Sequence, residues 1–129
     1  MCYIKNVDTK KRVLVVDDEP AIGNVVRIKL RICGYDVTVA NRGSEAISLI
    51  KREEPDLVLL DILMPDVTGF EVLAEVRKFS SVPVIIFTAR REIADAALKY
   101  GANDYIAKPF DPDRLVEKVK TVLERAAQK

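Results

Sequence analysis

Side chains that could handle phosphate or a divalent metal ion follow the apolar segments of this sequence. They are Asp17, Asp18, Asp61, Thr88 and Lys108. Asp61 ends the apolar run 57–60, which is typical of a strand buried on both faces of a parallel sheet. A carboxylate at the end of such a strand lies where ligands bind in open α/β folds. Taken alone, Asp61 could equally be a polar residue that simply ends its strand. The other four residues decide between this interpretation and a functional site.

Three carboxylates at one edge of a sheet would repel one another. Two unit charges about 4 Å apart cost about 1–4 kcal/mol at solvent-like to surface-like dielectric. A divalent cation, the Lys108 ammonium or a raised pKa would offset this repulsion. An all-oxygen site without histidine or cysteine favours a hard cation, Mg²⁺ before others. With a hydroxyl and a lysine beside them, these carboxylates could hold and accept a transferring phosphoryl group.

Hydrophobic periodicity predicts strands and helices that alternate five times. The predicted strands cover residues 12–16, 35–39, 57–61, 82–87 and 104–107, and the predicted helices cover residues 20–33, 44–54, 69–77, 93–100 and 112–126. This alternation predicts an α/β fold, a (βα)5 doubly wound five-stranded parallel sheet of flavodoxin-like type. The reactive residues follow four strands and skip the second, as expected if that strand is an edge in the order 2-1-3-4-5. The polar residues then all lie at carboxyl ends of strands. The second, edge strand ends at Ala40 and Asn41 with nothing reactive.

Local signals predict how the helices begin and which sides face the core. Ser44 is the predicted N-cap of the second helix, and Asp111 caps the last helix, which has Pro112 at its first position. The helical spacing of Ile93, Ala96, Ala97 and Tyr100 predicts the fourth helix, and Ala126 belongs to the predicted inner face of the last.

The bulk composition narrows the function classes. The chain has 129 residues, 49% of them hydrophobic and 32% charged, which indicates one ordinary globular domain, expected at 11–127 after a polar lead at 1–10. The net charge of +1 argues against a nucleic-acid or membrane surface. The absence of histidine excludes histidine-metal sites and a phosphohistidine carried by this chain. Cys2 and Cys33 lack metal or redox spacing, which is typical of reduced thiols in a cytoplasmic protein.

Four motifs together resemble the receiver domain of two-component response regulators (CheY-like). They are VVDDEP at 15–20, LLDILMPD at 59–66, FTAR at 87–90 and GANDYIAKPF at 101–110. The resemblance runs from about Lys11 to Ala126. It implies a signalling phosphoacceptor rather than an enzyme with turnover, one that assists its own phosphoryl transfer and dephosphorylation. The phosphoryl donor would be a sensor histidine kinase or a phosphotransfer protein.

The resemblance also implies a role for each site residue. Asp61 would be the phosphoacceptor. Asp18, Asp61 and the backbone carbonyl of Leu63 would bind Mg²⁺ directly, and Asp17 would contribute to the metal site mainly through water. The phosphoryl group would be bound by Thr88, the backbone N–H of Ala89 and Lys108, with a cis peptide bond before Pro109. Thr88 and Tyr105 would act as a switch pair that remodels the face formed by the fourth helix, fifth strand and fifth helix.

Two features depart from the family pattern. The segment from Thr88 to Gly101 is about two residues shorter than expected, which puts a standard partner face there in question. The positions two after Asp61 and two after Thr88 are Leu63 and Arg90. Neither side chain can readily act as a base for an attacking water, so we hypothesise a long-lived phosphoryl group.

Rival interpretations remain at this stage. An Mg²⁺-dependent aspartyl-phosphate phosphatase would carry a second Asp two residues after Asp61, where this chain has Leu63. A degenerate receiver would lack an Asp or the Lys, and all are present. A dinucleotide-binding domain is excluded because no glycine-rich loop follows the first strand. An output domain or target protein and a phosphorylation-dependent homodimer are expected partners, without direct contact to nucleic acid or membrane.

Overall fold

The computed structural model describes residues 10–64 and 66–127, in which five strands form one parallel sheet. The strands are β1 (Arg12–Val16), β2 (Asp36–Ala40), β3 (Leu57–Asp61), β4 (Val84–Thr88) and β5 (Asp104–Ala107). The helices are α1 (Pro20–Ile32), α2 (Gly43–Glu53), α3 (Gly69–Arg77), α4 (Arg91–Lys99) and α5 (Pro112–Ala127). The strand order is β2-β1-β3-β4-β5 and every neighbouring pair is parallel. The predicted fold class and strand order are therefore confirmed.

Alternate residues of the three central strands face opposite sides of the sheet, so each side has its own core. Leu14 and Val16 of β1 join the cluster under α2, α3 and α4, whereas Val13 and Val15 join the cluster under α1 and α5. The β3 and β4 residues are buried from end to end, as expected of strands covered on both faces. Burial of each large aliphatic side chain stabilises the fold by about 1.5–3 kcal/mol.

The register of the strands brings their carboxyl ends to one edge. Val16 of β1 pairs with Leu60 of β3, so the residues that follow them, Asp17 and Asp61, are neighbours. At the other side of β4, Thr88 pairs with Ala107. This alignment gathers the predicted site residues at one place, although they come from distant parts of the chain.

The second helix begins differently from the prediction. It starts at Gly43, one residue before the predicted cap Ser44, so the Ser44 assignment is wrong. The cap comes from Asp66 in the loop after β3, whose carboxylate accepts hydrogen bonds from Gly43 N–H (3.2 Å) and Ser44 N–H (3.4 Å). These hydrogen bonds, that from Gly43 first, lower the pKa of Asp66. A carboxylate suits the positive end of a helix dipole, whichever part of the chain supplies it.

Other boundaries and inner faces were predicted with mixed success. Asp111 caps α5 as predicted, accepting from Asp113 N–H at 3.0 Å. β2 begins and ends one residue later than predicted, and β4 begins at Val84 rather than residue 82. The inner-face assignment of Ala126 is wrong, since its side chain is exposed. Tyr100, predicted as part of the fourth helix, is the C-cap of α4 and is exposed.

The described residues also bear on membrane-spanning helices and on the state of the cysteines. No helix in the described ranges is both long and apolar enough to span a membrane. Cys33 is disulfide-bonded, so the predicted reduced thiol is wrong for this residue. Cys2 and the rest of the predicted lead, up to residue 9, lie outside the described residues.

Candidate functional site

Asp61 is the last residue of the central strand β3, and its side chain is only 6% exposed. Its Oδ2 lies 3.4 Å from Lys108 Nζ, and its Oδ1 accepts the Leu63 N–H at 3.3 Å. Burial raises the pKa of Asp61 to about 6, because the charged form loses hydration. The nearby Lys108 lowers this pKa and the Asp17 carboxylate raises it. The result is a carboxylate that is ionised at neutral pH but poorly solvated.

Lys108 joins two of the carboxylates. Its Nζ lies 3.3 Å from Asp17 Oδ2 and 3.4 Å from Asp61 Oδ2. The ammonium also lies 4.8 Å from the centre of the Phe87 ring, over its face, and the side chain is 16% exposed. On the backbone, Lys108 N–H donates to the Thr88 carbonyl at 2.9 Å, and the following Lys108–Pro109 peptide bond is cis, as predicted. One ammonium therefore pairs with two carboxylates, which leaves one negative charge of this group without a counter-ion.

Asp17 and Asp18 complete the acidic group at the end of β1. Asp17 is fully buried, and its Oδ1 accepts the Glu19 N–H at 2.8 Å, while Asp18 is half-buried. One carboxylate oxygen from each of Asp17, Asp18 and Asp61 lies within 4.8 Å of the others. Oxygens on opposite sides of a six-coordinate Mg²⁺ are about 4 Å apart, so small side-chain rotations would let all three contact one ion. The surplus negative charge and the all-oxygen donor set fit a hard divalent cation.

Leu63 lies at the edge of this group. Its backbone N–H reaches Asp61, while its side chain is 56% exposed. Its position two residues after the acidic strand end brings its backbone beside the carboxylates. Coordination of a metal by its carbonyl stays a prediction.

Thr88 ends β4 beside Asp61 and is almost fully buried. Its Oγ1 accepts the Arg90 N–H at 3.3 Å, and Ala89 follows it in an exposed turn. Tyr105 pairs with Ile86, two residues before Thr88 along β4, so Thr88 and Tyr105 point to the same face of the sheet. The predicted switch pair thus lies along one side of the β4–β5 pair.

Tyr105 is half-buried and is contacted from two helices. Lys118 of α5 lies 5.7 Å from the centre of its ring and donates to its carbonyl at 3.1 Å. From α4, the exposed Arg91 shares a side-chain hydrogen bond with Tyr105, which raises the pKa of Arg91. Both contacts tie the Tyr105 side chain to the helices of the predicted switching face.

Sequence reasoning missed three residues that shape the site. Asn41 donates from its side-chain amide to the Asp17 carbonyl at 3.0 Å, and Asp66 caps α2 from the loop after β3. Gly69 lies where a Cβ would come 2.6 Å from Ile62 Cα and 2.7 Å from the Asp61 carbonyl oxygen. The MPDVTG segment carried a signal for Gly69, because a glycine at a helix start beside a strand end can mark close backbone approach. No local pattern indicated the other two contacts.

The family model for the response regulator receiver domain matches residues 13–120. The chain belongs to this family. It is 43% identical over 126 residues to a probable transcriptional regulator ycf27 of Guillardia theta, covering 96% of this chain and 50% of that protein. It is 40% identical over 118 residues to the DNA-binding response regulator MtrA of Mycolicibacterium smegmatis, covering 90% and 52%. The chain thus spans about half the length of these curated relatives.

Solved receiver domains have the same architecture. The receiver domain of the Francisella response regulator 1452 matches with a TM-score of 0.85 and 36% identity, covering 91% of this chain and 99% of that one. A CheY-like receiver domain protein of Methanospirillum hungatei JF-1 matches with a TM-score of 0.87 and 33% identity, covering 93% and 98%. This chain is therefore a receiver domain of a two-component response regulator, a signalling domain, and phosphorylation on an aspartate is general to the family. The prediction of a receiver is confirmed.

Proposed function

We propose that Asp61 is the residue of this receiver domain that accepts the phosphoryl group. The observation that carries this proposal is the position of its buried carboxylate at the end of β3, 3.4 Å from the Lys108 ammonium and clustered with Asp17 and Asp18. An ionised carboxylate held in a poorly solvated place is a stronger nucleophile than one in water, since less hydration must be removed before it reacts. The donor would be a sensor histidine kinase or a phosphotransfer protein.

In the transfer step, an Asp61 carboxylate oxygen forms a bond to phosphorus as the phosphorus–nitrogen bond of the donor phosphohistidine breaks. The donor nitrogen keeps the electron pair of that bond, and the donor ring, protonated on its other nitrogen, leaves as neutral imidazole. The Lys108 ammonium exchanges one of its carboxylate contacts for a contact with a phosphoryl oxygen. Its positive charge then stabilises the negative charge of the phosphoryl group. The Thr88 hydroxyl and the Ala89 N–H donate to the other phosphoryl oxygens.

The metal-binding groups would be the carboxylates of Asp17, Asp18 and Asp61 with the carbonyl of Leu63. Bound Mg²⁺ would neutralise the charge of the phosphoryl oxygens during transfer. Asp17 is fully buried and held by Glu19 and Lys108, so it offers a fixed position, whereas the half-buried Asp18 can turn toward an ion. The three carboxylates also give the site a charge that a divalent cation would offset.

Phosphorylation would then change the partner face. Movement of Thr88 toward the phosphoryl group would leave space that Tyr105 fills by turning inward from its contacts with Lys118 and Arg91. That would remodel the surface of α4, β5 and α5 for an output domain, a target protein or a second copy of the chain. The domain would run over residues 11–127 and act in the cytoplasm, without direct contact to nucleic acid or membrane.

A mass measurement tests the acceptor. The whole chain is incubated with acetyl phosphate and Mg²⁺, and the wild type is compared with Asp61→Asn. We expect the mass of one phosphoryl group on the wild type and none on the variant. Asp66→Asn, in the loop five residues later, is the matched control and should still be phosphorylated. Phosphate on Asp61→Asn, or none on the wild type, would overturn the assignment.

A further inference from the structure

We propose that Asn41, at the end of the edge strand β2, is a positioning residue for the metal ligand Asp17. The Asn41 Nδ2 donates to the Asp17 carbonyl oxygen at 3.0 Å. The Asp17 N–H donates in turn to the Ala40 carbonyl oxygen at 3.0 Å. Both backbone polar groups of Asp17 are therefore bound to the end of β2. This inference rests on the proposed function, because it concerns the residue that would hold Mg²⁺.

The contacts of Asp17 divide into two sets. Its carboxylate is bound by Glu19 N–H at 2.8 Å and by Lys108 Nζ at 3.3 Å, and these contacts face the site. Its backbone is bound from behind, through Ala40 and Asn41. Only the Asn41 contact is made by a neutral side chain that takes no part in the proposed chemistry. Its removal would loosen Asp17 and leave every proposed ligand and phosphate-binding group in place.

Asn41 is itself held in position. Although the residue is exposed, its N–H donates to Glu45 Oε1 at 3.1 Å, in the first turn of α2. The same turn donates from Gly43 and Ser44 to Asp66, in the loop that follows Asp61. The start of α2 is therefore linked to Asp17 through Asn41, and it bonds directly to Asp66 in the loop that follows the proposed phosphoacceptor. The segment after β1 and the loop after β3 are thus both bonded, directly or through Asn41, to the first turn of α2.

Such support matters most before the metal binds. Three carboxylates repel one another, and a fixed Asp17 backbone keeps one of them in place in the free protein. Groups that orient a metal ligand raise the affinity for the metal because fewer conformations are lost on binding. At saturating Mg²⁺ the ion itself holds Asp17. We therefore expect loss of the Asn41 amide to raise the Mg²⁺ concentration needed for phosphorylation while leaving the maximal rate nearly unchanged.

Isothermal titration of the whole chain with Mg²⁺ tests the inference. Asn41→Leu keeps the size of the side chain but removes the donor, and it should weaken Mg²⁺ binding about threefold to tenfold. Asn103→Leu is the matched control, since the Asn103 side chain also bonds backbone, accepting the Val84 N–H at 2.9 Å, but at the opposite end of the sheet. It should lower the melting temperature without changing the Mg²⁺ affinity. With acetyl phosphate, Asn41→Leu should need more Mg²⁺ for half-maximal rate and reach the wild-type maximum.

Three outcomes would overturn the inference alone. The first is an unchanged Mg²⁺ affinity in Asn41→Leu, and the second is equal weakening in Asn103→Leu, which would make the effect a general loss of stability. The third is a reduced maximal rate of Asn41→Leu at saturating Mg²⁺, which would contradict the positioning role. A wild type that binds no Mg²⁺, or an Asp17→Asn variant that binds it as well as the wild type, would overturn the proposed metal site and this inference with it.

Discussion

The Lys108 ammonium lies 3.4 Å from Asp61 Oδ2 and 3.3 Å from Asp17 Oδ2, so one cation forms ion pairs with two buried carboxylates. Lys108→Met should therefore lower the free energy of unfolding at pH 7.5 by about 1–3 kcal/mol, since it leaves both carboxylates buried without their counter-ion. It also removes the charge that lowers the pKa of Asp61. That pKa should rise above its wild-type value, which carboxylate infrared titration would measure.

Lys118→Met is the matched control for this substitution. Lys118 also pairs with one carboxylate, Asp104 Oδ1 at 3.3 Å, but both side chains are more exposed, at 29% and 25%. Its loss should cost well under 1 kcal/mol in urea unfolding. Equal losses from the two substitutions would contradict a special role for the Lys108 pair.

Asp61→Asn should stabilise the metal-free protein above pH 6. The pKa of Asp61 is raised from 3.8 to about 6 in the fold, so the folded state binds its proton more tightly than the unfolded state. The contribution of Asp61 to stability is therefore greatest below about pH 4 and is lost as the pH rises through 6. Asparagine avoids this loss, so the gain should be about 1–3 kcal/mol at pH 7.5 and vanish below pH 4.

Urea unfolding at several pH values, in the presence of a chelator, measures this gain. Asp36→Asn, which alters an exposed residue at the other end of the sheet, controls for the removal of one surface charge. Mg²⁺ should reduce the difference between wild type and Asp61→Asn, because the ion would stabilise the ionised carboxylate. A gain that stays constant from pH 4 to pH 8 would show that the buried charge is not its source.

Much of this site could be predicted from sequence because it lies at strand ends. In a parallel sheet, the order of the strands fixes which carboxyl ends are neighbours, so Asp17, Asp61 and Thr88 could be brought together without a structure. The same reasoning failed for the cap of α2. Ser44 satisfies the local rule for a cap, but Asp66, more than twenty residues away, fills that place from another loop.

Inner faces were harder to predict where helices are short. In α4, the nine residues offer little more than two turns, and the small residues Ala94 and Ala97 face the sheet. Tyr100 lies beyond the last turn, 68% exposed, with its ring edge-on to Phe70 at 5.7 Å. The spacing of Tyr100 with Ile93, Ala96 and Ala97 indicated the helix, but the residues of α4 that are buried against the sheet are the small Ala94 and Ala97.

Leu63→Asn should shorten the lifetime of the phosphoryl group. Leu63 is 56% exposed beside Asp61, and the Arg90 side chain is turned to Glu92, with Nε 2.9 Å from Oε1. Neither side chain offers a hydrogen-bond acceptor that could take a proton from a water molecule attacking phosphorus. An amide at position 63 would supply one, and we expect dephosphorylation to be several-fold faster.

The decay of the phosphorylated chain, followed by mass spectrometry after removal of acetyl phosphate, measures this rate. Leu98→Asn is the matched control, because Leu98 is also a partly exposed leucine, at 37%, but lies in α4 away from the carboxylates. It should decay at the wild-type rate. An unchanged lifetime in Leu63→Asn would sink the hypothesis that the apolar side chain slows hydrolysis.

Gly69→Ala should damage both stability and phosphorylation. Alanine normally favours a helix over glycine by about 1 kcal/mol, but here its Cβ would come 2.6 Å from Ile62 Cα and 2.7 Å from the Asp61 carbonyl oxygen. The chain must shift at Asp61, the proposed phosphoacceptor, and we expect the free energy of unfolding to fall by about 1–3 kcal/mol. Gly23→Ala is the control, since its Cβ would meet only the end of the Val39 side chain, at 3.0 Å. The free energy of unfolding in urea and the extent of phosphorylation by acetyl phosphate should both be lower in Gly69→Ala and nearly normal in Gly23→Ala. A Gly69→Ala variant more stable than the wild type would contradict the close approach.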